Sequence, residues 1–144
     1  MKRQHFLAKI NEEKITTAIA RAEAKTTGQI SVFISHRRCP NPLPIARKHF
    51  EHLSVSKAPH HNGMFIFVAP ESQTFALVGD AGIHDKCGDI FWQALRDEMI
   101  PQFKAERYTE GIVHAIQKAG DLLATHFPRS DQNRNDLQNV ARKD

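Results

Sequence analysis

The chain has 144 residues, of which 40% are hydrophobic and 25% are charged, and this length and balance predict one globular domain rather than a fibrous, repetitive or disordered chain. The formal net charge is +4, with eleven Lys and Arg against four Asp and Glu in residues 1–60 and nine against twelve in residues 61–144. The basic residues of the first part are scattered and have no aromatic residues between them, which argues against a nucleic-acid interface.

The N-terminal residues do not have the pattern of a targeting or membrane segment. The apolar stretch after Arg3 is interrupted at Lys9 and ends at Asn11, whereas a signal peptide needs an uninterrupted apolar region. No stretch approaches the ~20 apolar residues that span a bilayer. We therefore expect a soluble, cytoplasmic protein that does not itself cross a membrane.

Cysteine usage agrees with a reducing compartment. Cys39 and Cys87 are the only cysteines, and they have no CxxC spacing, so they are too few to cross-link a secreted domain. Cys39 directly follows Arg37-Arg38, and nearby cations can lower a thiol pKa. A reactive thiol at Cys39 is one interpretation, and an inert cysteine is the favoured one.

The first half of the chain predicts helix, strand, helix. A helical stripe begins after Asn11 and ends at Gly28, and its apolar members are Ile15, Ala18, Ile19 and Ala22. The β-rich run of residues 30–35 predicts a buried strand. A proline-rich loop over residues 39–44 then leads to a second helix, whose buried face is expected to carry Ile45, Ala46, His49, Phe50 and Leu53.

The second half predicts a hairpin and two further helices. Strands over residues 64–69 and 74–78 are joined by Pro70-Glu71-Ser72-Gln73, a length typical of hairpin connections. The third helix is expected to be kinked or split at Pro101, and its stripe contains Cys87, Ile90, Phe91, Ala94, Leu95 and Met99. The fourth runs from an N-cap at Thr109 to His126.

This order of elements predicts the fold class. A helix between the first two strands requires a parallel, right-handed βαβ unit, and the hairpin then adds an antiparallel strand. The result is an α/β fold, a three-layer α/β/α sandwich with a small mixed sheet and helices on both faces. Residues 1–128 form this domain, and the polar residues 129–144 are expected to be a flexible tail.

The loop from Gly79 to Asp85 is the best candidate site. It follows a strand, where open α/β sheets place ligands, and its carboxylates and backbone carbonyls are hard oxygen ligands suited to Ca2+ or Mg2+. Asp85 and Asp89 share a face if both are helical. The alternative interpretation is that Asp85 only caps the third helix and Asp80 only serves the turn.

Other groups of residues give weaker evidence for a catalytic or metal site. His49 and His52 have a spacing of i,i+3, but it matches no established zinc motif, and the adjacent His60 and His61 cannot both chelate one ion easily. The chain has no GxSxG elbow and no glycine-rich phosphate loop, so neither a serine nucleophile nor an organic cofactor is expected. The aromatic residues Phe91, Trp92, Phe103 and Tyr108 are interpreted as core.

Four separate segments resemble the TPM domain family. They are residues 22–32 (AEAKTTGQISV), 62–69 (NGMFIFVA), 78–83 (VGDAGI) and the pair 101–103 with 108–112 (PQF and YTEGI). They occur in the order and spacing of the family, from about residue 10 to residue 128. The version with Gly-Asp-Ala-Gly-Ile after the third strand resembles the stand-alone bacterial branch.

The resemblance implies a site and a set of partners. It implies a three-layer fold, calcium in loops at one sheet edge, and acid phosphatase activity in some members. The implied metal ligands here are Asp80 with Asn62, Asp85 and Asp89. The implied partners are a LemA-like protein or a membrane-anchored TPM protein.

Two positions depart from the family pattern. Gln29 and Asn62 stand where the family often has Glu and Asp, and fewer charged ligands mean weaker calcium binding. The favoured function is therefore a binding or accessory module, with or without calcium. The alternative is a metal-dependent phosphatase in which Asp80 holds the metal and His84 or Asp85 transfers the proton.

Overall fold

The computed structural model describes residues 10–53, 62–129 and 141–143. The side chains of His84, Lys86 and Cys87, and those of residues 141–143, lie outside the described part. The elements in chain order are α1 (Glu12–Glu23), β1 (Gln29–Ile34), α2 (Pro42–Glu51), β2 (Gly63–Ala69), a 3-10 turn (Pro70–Ser72), β3 (Thr74–Gly79), α3 (Ala81–Lys104), α4 (Tyr108–His126) and β4 (Ala141–Lys143).

The described strands form one mixed sheet in the order β3-β2-β1-β4. Strands β1 and β2 are parallel, with Gln29 opposite Gly63 and Ile34 opposite Val68, and β2 and β3 are antiparallel. The predicted βαβ unit and hairpin are therefore confirmed. Gln73 closes the hairpin connection in the left-handed conformation, with φ of 54°.

Strand β4 lies within the segment that the sequence indicates as a flexible tail. It pairs in parallel with the second half of β1, from Val32 opposite Ala141 to Ile34 opposite Lys143. The backbone of β4 pairs with the free edge of β1, and the polar composition of the segment does not predict this pairing. The rest of the predicted tail, residues 130–140 and 144, lies outside the described residues.

Helices cover both faces of the sheet, as the α/β/α prediction requires. One face packs against α1, α3 and α4 in a single apolar cluster. The other face packs against α2 in a second cluster, whose described members are Cys39, Ala46, Phe50, Phe65, Phe67, Ala69, Ala76 and Val78. Within the described ranges, no helix has the length and apolarity needed to cross a bilayer.

The ends of α1 and α4 differ by a few residues from the prediction. Asn11 caps α1 as expected, because its side-chain oxygen accepts a hydrogen bond from the Lys14 backbone N–H at 3.1 Å. However, α1 ends at Glu23, well before Gly28. Thr109 lies inside α4 rather than at its N-cap, and its hydroxyl instead accepts a hydrogen bond from the Asn11 backbone N–H at 3.0 Å.

Helix α3 breaks at a position that the sequence analysis did not predict. Gly88 has φ of 72° and ψ of 179°, which is not a helical conformation, so two helical segments meet at a kink there. Helix α3 continues past Pro101 to Lys104, so the expected split at Pro101 is wrong, and a kink there stays a prediction. The kink also changes which residues face the core, and Ile90 is 82% exposed rather than buried.

Helix α2 buries a narrower face than predicted. Ala46 and Phe50 are buried, and the ring of His49 packs against Phe33 with their centroids 4.6 Å apart. Ile45 was expected on the same face, but it is 42% exposed. The buried stripe follows residues 46, 49 and 50, which leaves position 45 on the side of the helix that faces solvent.

Candidate functional site

The candidate site lies at one end of the sheet, where three strands meet. Because β1 and β2 are parallel, their first residues share an edge, and antiparallel β3 brings its last residue to the same edge. The Asp80 N–H donates to the Gly63 carbonyl at 3.0 Å, and the Gln29 N–H donates to the Asn62 carbonyl at 3.3 Å. We call this end, with Gln29, Asn62 and Asp80, the amino edge.

The location differs from the one on which the sequence argument relied. Open α/β sheets place ligands beyond the carboxyl ends of their parallel strands. Asp80 follows the carboxyl end of β3, but β3 runs antiparallel to β1 and β2. Asp80 therefore lies at the amino ends of β1 and β2, and not at their carboxyl ends. The topology therefore brings Asp80 and Asn62 together, although not at the usual ligand edge of such sheets.

Asp80 is the N-cap of α3. Its backbone is extended, with φ of −70° and ψ of 168°, and its Oδ1 atom accepts a hydrogen bond from the Ala81 N–H at 2.8 Å. A carboxylate at this position satisfies a helix N–H and interacts favourably with the positive end of the helix. The cap of α3 is thus Asp80, and not Asp85 as the alternative interpretation had it.

Asn62 is fully buried. It directly precedes Gly63, whose carbonyl accepts the hydrogen bond from the Asp80 N–H. The exposed fraction of Asn62 is 0%, and its Nδ2 atom donates to the Thr27 hydroxyl at 3.1 Å. Its Oδ1 atom is buried and accepts no hydrogen bond from the described residues, and the same is true of Gln29 Oε1. Buried polar oxygens normally have a partner, so the amino edge has two oxygens with unused acceptor capacity.

The turn before β1 is fixed by Glu23, a residue that sequence reasoning missed. Glu23 is fully buried, and its Oε2 atom accepts a hydrogen bond from the Ile30 N–H at 2.7 Å. The Arg129 Nε atom donates to the backbone carbonyls of Glu23 and Thr26 at 3.1 and 3.2 Å. These contacts hold the turn that presents Thr27 and Gln29 to the amino edge.

Asp85 and Asp89 do not form a carboxylate pair on one helix face. Both are exposed, and the kink at Gly88 lies between them, so the i,i+4 geometry assumed from the sequence is wrong. The side chain of His84 lies outside the described residues. In the described ranges no three His, Cys, Asp or Glu residues are placed to hold a metal ion together.

The two histidines of α2 have different surroundings. The ring of His49 packs against the stacked rings of Phe33 and Phe67, with centroid distances of 4.6 and 5.6 Å, whereas His52 is exposed at the end of α2. His60 and His61 lie outside the described residues. An aromatic neighbourhood of this kind supports the interpretation of His49 as a packing residue.

Cys39 is a free, buried cysteine. Its backbone N–H donates to the Ser72 hydroxyl at 2.6 Å, and its carbonyl accepts from the Thr74 hydroxyl at 2.6 Å. Burial raises the pKa of the Cys39 thiol, which opposes the lowering that nearby arginines would cause. The interpretation as an inert cysteine is supported.

Comparison with family models identifies the family of the chain. The family profile described as the TPM domain matches residues 1–122. The NMR structure of the BA42 protein from the psychrophilic bacterium Bizionia argentinensis is 34% identical, covers 92% of each chain and superposes with a TM-score of 0.84. None of the curated proteins resembles the chain closely enough to count as a match.

More distant structures share the fold. The N-terminal domain of the cg2496 protein from Corynebacterium glutamicum is 15% identical over 87% of this chain and 79% of its own, with a TM-score of 0.61. The N-terminal domain of a P. gingivalis protein is also 15% identical, over 81% and 76%, with a TM-score of 0.60. At this identity the likeness concerns the architecture alone.

Proposed function

The chain belongs to the TPM domain family, and from that premise we propose that it is a binding or accessory module whose amino edge holds a divalent cation, of which Ca2+ is the best fit. The observation that carries the proposal is the pair of buried oxygens at Gln29 and Asn62 with unused acceptor capacity, at the sheet edge that Asp80 joins through its backbone hydrogen bond to Gly63. Carboxylate, amide and carbonyl oxygens are the ligands that Ca2+ prefers.

The donor set suggests how strongly a cation would bind. The amino edge has the carboxylate of Asp80, one of whose oxygens already caps α3, and close to it the buried carboxylate of Glu23, whose Oε2 accepts the Ile30 N–H. Gln29 and Asn62 would contribute neutral amide oxygens, and exposed Asp85 lies four residues after the cap at the start of α3. A site with few charged ligands has weak affinity, on the order of 10⁻⁴–10⁻³ M.

The residues also favour binding over catalysis. Of the carboxylates near the edge, Asp80 caps a helix and Glu23 accepts the Ile30 N–H, while Asp85 and Asp89 are exposed and separated by the kink. A cation there would organise the turn at Thr27 and the start of α3 and would thereby fix the surface offered to a partner. The family resemblance supplies the kind of partner, a LemA-like protein or a membrane-anchored TPM protein.

Calorimetric titration of Ca2+ into the metal-free protein tests the cation site. We expect weak binding in the wild type and at least a tenfold weaker affinity in Asp80→Asn, because the charged ligand is lost. Asn is as good an N-cap as Asp, so the variant keeps its fold. The control is Asp97→Asn, an exposed residue of α3, and an Asp80→Asn affinity equal to that of the control would contradict the proposal.

The same variants separate this function from a metal-dependent phosphatase at the same loop. A phosphatase would release phosphate from an aryl phosphate ester in a reaction that added Ca2+ or Mg2+ accelerates and that Asp80→Asn abolishes. A binding module gives the same background rate in the wild type and in Asp80→Asn. Turnover that follows both the metal and Asp80 would replace the binding proposal with the enzymatic one.

A further inference from the structure

A groove of about 830 Å³ runs between α1 and α4 and opens to solvent. The two helices run in the same direction. The Asn11 N–H donates to the Thr109 hydroxyl at their starts, and a Cβ atom at Gly120 would lie 2.7 Å from the Cβ atom of Ala22 further along. Each of these contacts joins residues that are 98 positions apart. A residue of α1 therefore lies level with the residue of α4 whose number is greater by 98.

Charged residues of opposite sign line the two sides of the groove. The α1 side has a basic row, Lys14, Arg21 and Lys25, with Glu13 as its acidic exception. The α4 side has an acidic row, Glu110 and Asp121, with Gln117 between them. Each row keeps to one flank of its helix, because its members lie seven and eleven residues after the first, close to two and three whole helical turns. The charged residues of both rows are exposed.

The middle of the groove is uncharged. Ala18 and Ala22 are buried there, and Val113 is half-buried against the larger apolar cluster. Thr17 and Gln117 complete this part of the lining and are exposed. Interfaces between proteins have this arrangement, with charge depleted at the centre and polar residues at the rim. The groove thus has the composition of a contact surface for another protein.

Only part of the charge in the two rows is neutralised within the chain. Lys25 and Asp121 form an ion pair across the groove at 2.9 Å. The side chains of Lys14, Arg21 and Glu110 form no ion pair with another described residue. A partner that fits the groove therefore has acidic groups facing α1 and basic groups facing α4.

We propose that this groove is the interface of a symmetric homodimer, in which α1 of each copy lies over α4 of the other. A two-fold interface uses the same surface twice, so each copy places its basic row over the acidic row of the other. With the copies level, Lys14 of one lies within two residues of Glu110 in the other. Arg21 lies within two residues of both Gln117 and Asp121. Two residues are about 3 Å along a helix, which these long side chains can span.

The signs of the two rows also determine the direction of the two-fold axis. An axis parallel to the helices leaves the copies level and places basic rows over acidic rows. An axis across the helices would instead place α1 over α1 and α4 over α4, so that like charges oppose each other at an energetic cost. A second copy of the chain therefore supplies both complementary rows, in one orientation.

The size of the surface indicates a weak dimer. Helix α4 has 19 residues, so the two helices together present about 28 Å by 20 Å, which is less than the ~800 Å² per partner of a standard interface. We expect a dissociation constant weaker than about 1 µM. Higher salt should weaken the dimer further, because it screens the two charged rows.

Sedimentation equilibrium of the full chain, from about 10 µM to 1 mM protein, tests the proposal in the presence of a chelator. The described residues that line the groove do not include Gln29, Asn62 or Asp80, so the dimer does not depend on a cation at the amino edge. We expect a concentration-dependent dimer that Asp80→Asn leaves unchanged. A mass that stays monomeric at about 1 mM overturns the dimer and leaves the cation site standing.

Two charge-reversed variants test the pairing of the rows. Lys14→Glu with Arg21→Glu places acidic α1 rows over acidic α4 rows, and Glu110→Lys with Gln117→Lys places basic rows over basic rows. Each variant alone should dimerise at least tenfold more weakly than the wild type. An equimolar mixture of the two should recover the wild-type affinity to within about threefold, because opposite charges then face each other on both sides. That recovery also shows that both variants fold.

The matched control is Arg47→Glu with Lys48→Glu. It makes the same change in net charge at exposed positions of α2, and α2 covers the other face of the sheet. We expect it to change the dissociation constant less than about threefold. A loss equal to that of Lys14→Glu with Arg21→Glu, or a mixture of the two reversed variants that stays monomeric, overturns the proposal.

Dilution of the wild type, followed in NMR spectra of the backbone amides, locates the interface without substitutions. We expect concentration-dependent shifts at residues 13–25 and 110–121 and unchanged signals in α2. Shifts centred on another part of the chain would show association through a different surface and would overturn the proposal.

Discussion

Gly79 lies so close to the indole of Trp92 that no side chain fits between them. A Cβ atom at Gly79 would be 2.4 Å from Trp92 Cζ2 and 2.8 Å from Cη2, and Trp92 is buried in the larger apolar cluster. The last residue of β3 is therefore glycine because of packing, and not because of backbone freedom. This contact sets how closely α3 approaches the amino edge.

The contact predicts the effect of Gly79→Ala. The added methyl group overpacks the interface between β3 and α3, and the free energy of unfolding falls by about 1–3 kcal/mol. Urea denaturation followed by circular dichroism measures the change. Ala94→Ser, at an exposed position of α3, serves as the control and changes the free energy by less than about 0.5 kcal/mol. Equal stability of wild type and Gly79→Ala would show that Trp92 does not lie against Gly79.

Cys39 provides a prediction that depends on pH. Since burial raises the pKa of its thiol, the thiolate is scarce at neutral pH in the folded protein. In a Cys87→Ser background, iodoacetamide modifies Cys39 at least tenfold more slowly in native protein than in urea-unfolded protein at pH 7.5. A native rate equal to the unfolded rate would contradict the buried, protonated thiol.

The sign of the linked stability change follows from the same shift. A folded pKa above the unfolded one favours folding below the ordinary cysteine pKa of about 8.5, and this contribution disappears as the pH rises through the folded pKa. The Cys39→Ala variant in the Cys87→Ser background should therefore lose less stability between pH 8 and pH 10 than its parent does.

At the scale of secondary structure, α3 is distinguished by its kink at Gly88. In an ordinary helix, glycine to alanine stabilises by about 1 kcal/mol, because glycine has excess conformational freedom. At Gly88 the φ of 72° is unfavourable for any L-residue with a side chain, although no heavy atom lies within 4 Å of the Cβ position. We therefore predict that Gly88→Ala destabilises by about 1–2 kcal/mol, and thermal unfolding that shows stabilisation would contradict the kink.

The elements differ in how far the sequence predicts them. The stripe of Ile15, Ala18, Ile19 and Ala22 and the β-rich runs identify α1 and the three longer strands, because burial imposes a period on apolar residues. The kink at Gly88 is not visible in that period, since a lone glycine is tolerated in a helix. Strand β4 is short and polar, and it exists through pairing with β1 rather than through its own residues.

The candidate site was predictable in part for the same reasons. Parallel pairing of β1 and β2 with an antiparallel β3 brings Asn62 and Asp80 to one edge, and the order of elements implies that arrangement. Glu23 was not predictable, because a glutamate near a helix end resembles an ordinary solvent-exposed acid. Its buried hydrogen bond to Ile30 follows from the path of the turn and from Arg129, which lies far away in the sequence.

At the scale of the whole molecule, the two ends of the β1–β2 pair carry different chemistry. The amino edge has the carboxylates of Asp80 and buried Glu23 with two buried amide oxygens, whereas the loop that follows β1 has the exposed Arg37 and Arg38. Lys25, which precedes β1, forms an ion pair with Asp121 at 2.9 Å, so the basic excess of residues 1–60 is spread over both ends of the pair.

A Ca2+ titration followed residue by residue in NMR spectra of the backbone amides tests the cation site at the amino edge most directly. We predict shifts confined to the turn at Thr27–Gln29, to Asn62 and Gly63, and to the start of α3 from Asp80 to Asp85. In Asp80→Asn those shifts should require at least tenfold more Ca2+. A spectrum without change at these residues, or with its changes centred on another part of the chain, would contradict it.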